Sequence, residues 1–149
     1  MIIYRVSKRA HADDLSGEGS RREGGRWNSS GHPMIYTSLS RSLALLEVLA
    51  HSTILPGGIV LVTLRLPSGA RVQKMEIADL PVGWDARPHI AASQLIGDEF
   101  LRSAKFLALR VPSVIIREED NILINPYHLQ ARNIEIVSVE DLAVDPRLK

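Results

Sequence analysis

Three side chains capable of chemistry stand far apart in this 149-residue chain: Arg26, Glu47 and Ser113. Arg26 lies in the loop EGGRWNSSGHP, residues 23–33, behind glycines at 24 and 25 that permit close approach of backbone to a ligand. A guanidinium held there can fork onto two phosphate oxygens or pair with a carboxylate. The plain alternative is a surface arginine in a flexible loop. Trp27 argues against flexibility, because a large ring must anchor in the core or stack on a flat ligand. Asn28 and Ser29 suit a turn. Glu47 stands in LALLEVLA, residues 43–50, a helix that reads as apolar all round and therefore buried. A carboxylate there needs a cation, a set of donors or a raised pKa, and Arg26 is the candidate cation. A structural ion pair, or escape at the helix edge, is the alternative. Ser113 follows a proline between two apolar runs. It lacks a Gly-x-Ser-x-Gly elbow, so it reads as a hydrogen-bonding hydroxyl or a satisfied serine at a bulge rather than a nucleophile.

The elements that must position these residues can be drafted from pattern. Ile2–Val6 reads as a strand, residues 10–33 as a long polar glycine-rich loop, and Met34–Thr37 as a brief strand. A helix follows from about Ser40 to His51, with Ser38 or Ser40 as N-cap. Ile59–Leu66 is the clearest strand and reads as central, with Arg71–Met75 pairing beside it. Asp85 and Pro88 are placed to start a second helix reaching about Ala104. Phe106–Arg110 and Val114–Arg117 read as strands hinged at Pro112-Ser113. A turn at Asn125-Pro126 then precedes a last strand over Ile134–Val139. The mixture predicts one α+β domain over residues 1–149 with a mixed or antiparallel sheet.

Composition excludes several function classes. A hydrophobic fraction of 45% and a charged fraction of 23% are those of a globular protein, and no apolar run reaches the length of a membrane span. The opening MIIYRVSKRAHADD places apolar residues before charges, the wrong order for a secretory leader. The absence of cysteine excludes disulfides and thiolate metal sites and fits a cytoplasmic protein. Histidines at 11, 32, 51, 89 and 128 show no metal-ligand spacing, so no metal is expected. A net charge of +1 and seven aromatic residues argue against direct nucleic-acid binding.

The motifs taken in order, Gly25-Arg26-Trp27-Asn28, Tyr36-Thr37-Ser38, Leu46-Glu47 and Val111-Pro112-Ser113, resemble the RES domain family. The family is named for an Arg, a Glu and a Ser, which match Arg26, Glu47 and Ser113. Ile3-Tyr4-Arg5, Leu80-Pro81-x-Gly83-Trp84-Asp85, Leu123-x-Asn125-Pro126-x-His128 and Asp145-Pro146-Arg147-Leu148 extend the likeness across nearly the whole chain. Ile122 and Leu129 depart from the late motif, where an aromatic and a proline are usual; Asn121 stands beside them.

The resemblance implies a fold similar to ADP-ribosyltransferase toxins and a role as the toxin of a type II toxin–antitoxin system. It implies chemistry that consumes NAD as substrate by hydrolysis or phosphorolysis of the nicotinamide–ribose bond, depleting NAD and arresting growth. Mono-ADP-ribosylation of a protein is the alternative, and a non-catalytic partner in transcriptional autoregulation is a third. The implied partner is an Xre-type antitoxin, through which alone DNA is reached, with a homodimer of the toxin as one form of the complex. Catalysis would fall to Arg26, Glu47 and Ser113, and substrate binding to Arg5, Arg26, Trp27, Tyr36 and Asn125. The order Arg, Glu, Ser differs from that of most transferases, in which Glu comes last, so mechanism carries over from that superfamily by analogy.

Overall fold

The computed structural model describes all residues from Met1 to Lys149. Seven strands form one sheet: β1 (Ile2–Lys8), β2 (Ile35–Ser38), β3 (Ile59–Arg65), β4 (Val72–Lys74), β5 (Ala108–Pro112), β6 (Asp120–Ile124) and β7 (Glu135–Asp141). Their order is β4-β5-β6-β2-β1-β3-β7; every pairing is antiparallel except β4 with β5. Three α-helices accompany it: α1 (Glu18–Glu23), α2 (Arg41–His51) and α3 (Ala91–Ser103).

The α+β expectation with a mixed sheet therefore holds, with four revisions of detail. The loop over 10–33 contains α1, a turn and a half of helix supported by Glu18 pairing with both Arg21 and Arg22 at i+3 and i+4 spacing. β4 does not pair with β3, which is already flanked by β1 and β7, and crosses instead to the free edge of β5. Residues 114–117 form no strand. The Ser113 hydroxyl accepts the N–H groups of Ile115 and Ile116 and folds the segment into a turn. β3 is buried over six successive residues, as a strand covered on both faces must be, although it lies next to an edge strand rather than at the centre.

One face of the sheet carries a continuous core. Ile3, Ile35, Val60, Val62, Leu64, Ile122 and Ile124 alternate along their strands and are covered by irregular segments around Leu15, Ala131 and Ile134. The other face carries two separate clusters. Ala44, Leu45 and Val48 of α2 pack on Val6, Ile59 and Leu61 of β1 and β3. Phe100 and Ile96 of α3, with Trp27, Met34 and Trp84, pack on Leu109, Val111 and Leu123 of β5 and β6.

Between these clusters the sheet is nearly parted. β1 runs beside β3 for its whole length, but it meets β2 at the single pair Tyr4 and Ser38. Glu47 and Ser113 meet on this face, across that seam.

Candidate active site

Glu47 is delivered by α2, which starts where the Ser40 hydroxyl accepts the Leu43 N–H at 3.1 Å. The helix is not buried all round: Leu43, Ala44 and Leu49 are buried, Arg41, Ser42 and Ala50 are exposed, and Glu47 is half-buried at the border. Its Oε1 accepts two hydrogen bonds, from Ser113 Oγ at 3.0 Å and from Asn121 Nδ2 at 2.6 Å. Both donors are neutral. Oε2 has no hydrogen-bond partner in the protein, and it is not among the buried polar atoms left unsatisfied. It is therefore the open acceptor of the site.

The two donors are themselves fixed. Ser113 is fully buried, and its oxygen already accepts the N–H groups of Ile115 at 3.0 Å and Ile116 at 3.3 Å. The hydroxyl hydrogen is left to point at Glu47. Asn121 accepts at Oδ1 from the Ser38 hydroxyl at 2.6 Å, which sets its amide so that Nδ2 faces the carboxylate. Ser113 is thus an orienting hydroxyl with its lone pairs occupied. Ser113→Ala would orphan two backbone donors and one carboxylate contact, and we expect it to cost about 1–3 kcal/mol of stability, read from urea unfolding.

Arg26 faces this carboxylate without touching it. Its Nη1 donates to the carbonyls of Trp84 and Ala86, each at 2.8 Å. The expected ion pair with Glu47 is absent. Nε and Nη2 make no protein hydrogen bond and are not among the buried unsatisfied atoms, so they are free for a ligand. Burial holds the Arg26 pKa below the usual guanidinium value and the like charge of Arg87 acts the same way, while Glu47 and Asp85 oppose it. The carboxylate at 47 and the guanidinium at 26 therefore sense each other across the seam.

The loop that presents Arg26 is rigid, and every other residue of its motif is spent on making it so. Trp27 is buried and stacks on Trp84, with ring centroids 6.4 Å apart; no face of its ring is open to a ligand. Asn28 is fully buried, donating to the carbonyls of Ser20 and His32 at 2.9 and 2.8 Å and accepting the Tyr36 hydroxyl at 2.5 Å. Gly25 is glycine because a Cβ there would lie 2.7 Å from the Tyr36 hydroxyl; its smallness serves Tyr36. α3 fastens the loop from outside. Asp98 accepts from Ser29 N at 2.9 Å and Oγ at 2.5 Å, and Gln94 Nε2 donates to the Gly25 carbonyl at 3.1 Å. Gly97 lets the Trp27 carbonyl sit directly on the helix.

Tyr36 is within electrostatic range of Arg26. Its hydroxyl also accepts the Trp27 N–H at 3.2 Å. Burial pushes its phenol well above the ordinary value of 10.0. The folded state thus favours the neutral phenol, while the unfolded chain ionises first as pH rises. Stability from this group is fully present below about pH 10 and is lost above it. Urea unfolding compared at about pH 9 and about pH 11 should show the loss, and Tyr36→Phe should flatten the dependence.

Two of the expected substrate contacts lie elsewhere. Arg5 clamps the segment after β1, donating to the carbonyls of Asp14 at 2.8 Å, Ala12 at 3.0 Å and His11 at 3.2 Å. Asn125 is fully buried at the far end of β6, about 13 Å along the strand from Asn121. It ties that end to α3 through the Leu101 carbonyl at 3.1 Å and accepts the Tyr127 N–H at 3.0 Å. The structure joins Glu47, Ser113, Asn121 and Ser38 directly and sets Arg26 and Tyr36 opposite. Asn121 is the residue that motif reading undervalued. The signal was its place in the same late motif as Asn125, one strand from Ser38.

Known proteins match this chain along nearly its whole length. The RES domain family model covers residues 2–145. The chain belongs to the RES domain family. A protein named Prs ADP-ribosylating toxin, from Sphingobium sp. (strain YBL2), is 42% identical, with 92% of this chain and 88% of that protein covered. Toxin Res of Pseudomonas putida (strain KT2440) is 38% identical over 99% of both chains. Among solved structures, the M. tuberculosis MbcT–MbcA toxin–antitoxin complex contains a chain that superposes on this RES domain with a TM-score of 0.76. That match covers 99% of this chain and 85% of that one at 22% identity, a likeness of fold. No helix of this RES domain is long and apolar enough to cross a membrane, and its His, Asp and Glu residues form no group of three that could hold a metal ion.

Proposed function

We propose that this RES domain is the toxin of a toxin–antitoxin pair and consumes NAD by breaking the bond between nicotinamide and ribose. The observation that carries the reading is the Glu47 carboxylate, fixed through one oxygen by Ser113 and Asn121 with the other oxygen free. Cleavage leaves the bonding electron pair on nicotinamide, which departs neutral, and builds positive charge on the ribose carbon and ring oxygen. A carboxylate fixed in advance stabilises that charge without reorganising, which is how preorganised electrostatics lower a barrier. Arg26 binds the diphosphate of the dinucleotide through its free N–H groups, and Tyr36 forms the aromatic wall of the nicotinamide site. Ser113, Asn121 and Ser38 hold Glu47 in register; Arg5, Trp27 and Asn125 serve the scaffold.

The acceptor then completes the reaction. Water adds to the ribose carbon to give ADP-ribose and a proton, and inorganic phosphate adds to give the corresponding phosphate ester. Depletion of NAD arrests growth until an antitoxin of the Xre type occupies the toxin in the cytoplasm. A second reading keeps the same donor site and makes the acceptor a protein side chain; the name of the Sphingobium relative favours it. Purified protein incubated with NAD should release nicotinamide in water or phosphate buffer, or label an added protein with ADP-ribose. No release under any of these conditions rejects the proposal. Expression without an antitoxin should arrest growth, and normal growth would leave the non-catalytic reading in its place.

A further inference from the structure

Most arginines here are neutralised by a carboxylate. Arg117, on the turn after Ser113, is ion-paired to Asp85. Arg26 and Arg87, like Arg5 on the other face of the sheet, hydrogen-bond only to carbonyl oxygens and have no carboxylate within ion-pair distance. They are nonetheless held close together. Arg26 is bonded to the carbonyls of Trp84 and Ala86, and Arg87 is the next residue. Arg87 reaches across to donate Nη2 to the Val114 carbonyl at 3.2 Å, one residue beyond the serine that orients Glu47. The second guanidinium is therefore pinned at the rim of the same site, and it is exposed. Burial is the main cause of the lowered Arg26 pKa, and the like charge of Arg87 adds to it. Such a pair is unfavourable in the empty protein and becomes favourable when an anion lies between the two forks.

We propose that Arg26 and Arg87 form a two-pronged seat for a phosphate-borne anion beside Glu47. The inference rests on the NAD reading above and deepens it by naming Arg87 as a second ligand-binding residue. Two sources can supply the anion: the diphosphate bridge of the dinucleotide, or an inorganic phosphate that acts as acceptor. The same seat would govern substrate binding in the first case and the choice of phosphate over water in the second. Planar guanidinium forks suit either, since each can bond two phosphate oxygens at once.

The test uses the full chain with Arg87→Ala and Arg87→Lys, first checked for unchanged thermal midpoints. Calorimetric titration with ADP-ribose reads the first source. Acceleration of nicotinamide release by inorganic phosphate reads the second. Arg87→Ala should weaken ADP-ribose binding by about 10- to 100-fold, or abolish the phosphate acceleration, with Arg87→Lys intermediate. Nicotinamide riboside, which carries no phosphate, should bind wild type and Arg87→Ala alike. The seat is refuted if Arg87→Ala matches wild type in both arms, or if it loses nicotinamide riboside as severely as ADP-ribose. A wild-type protein that binds ADP-ribose in an Arg87-dependent way yet releases no nicotinamide would refute NAD cleavage and leave the seat standing.

Discussion

Glu47→Gln is expected to lower nicotinamide release by roughly 10²–10³-fold, about 3–4 kcal/mol of transition-state stabilisation, at nearly unchanged stability. Glutamine keeps the volume of glutamate, and its carbonyl oxygen can still accept from Ser113 and Asn121 at 3.0 and 2.6 Å. Its amide then places an N–H₂ group where the open Oε2 stood. On the NAD reading proposed above, the lost quantity is negative charge at that one point, facing the cation that would develop on the ribose. Because the scaffold contacts survive, NAD affinity should change far less than turnover. The measurement is single-turnover release of nicotinamide at saturating NAD. A variant within a factor of ten of wild type would remove Glu47 from the chemistry. Glu47→Asp tests the same point differently: it keeps the charge but, one methylene shorter, withdraws it from Ser113 and Asn121. Recovery of full activity by Asp would mean that charge alone matters and the orienting bonds do not.

Gly97→Ala should be the most destabilising glycine-to-alanine exchange in this protein, by about 3 kcal/mol or more. Within a helix this exchange is ordinarily favourable by about 1 kcal/mol, because alanine has less backbone freedom to lose. Here an ideal Cβ would lie 1.5 Å from the Trp27 carbonyl oxygen and 2.6 Å from its carbon. Those are backbone atoms, so no rotamer change relieves the overlap, and α3 must separate from the loop. Separation strains the Asp98 bonds to Ser29 and the Gln94 bond to Gly25 together. Urea midpoints measure the loss, and activity should fall further than stability because Arg26 moves with the loop. A neutral or stabilised variant would show that the loop does not rest on α3.

The sequence made some parts of this protein legible for clear reasons. α2 announces itself through a serine cap and a run of strong helix formers, and β3 through an unbroken β-branched and leucine-rich run. Glu47 and Ser113 stand out because each is a polar group in apolar company. What escaped reading is what one strand of text does not contain. Arg26 is positioned by carbonyls 58 and 60 residues downstream, and no residue type marks a carbonyl as an acceptor. Asn125 looks like a ligand contact, yet it is consumed by backbone partners in the interior. Residues 114–117 carry strand-forming side chains, but one hydroxyl accepting two N–H groups outweighs that preference. Chain proximity suggests that β4 pairs with β3, but it pairs with β5, because pairing depends on which edges remain free, a property of the whole sheet.

The near-parting of β1 from β2 gives those bonds at Glu47 a second duty. The helix that carries Glu47 is packed on β1 and β3, whereas Ser113, Asn121 and Ser38 belong to the bank formed by β5, β6 and β2. With one backbone pair joining the two banks on the sheet itself, the carboxylate acts as a clasp across a joint. Any change that spreads the joint on this face draws Ser113 and Asn121 away from the Glu47 carboxylate, while the core of the opposite face continues to span both banks.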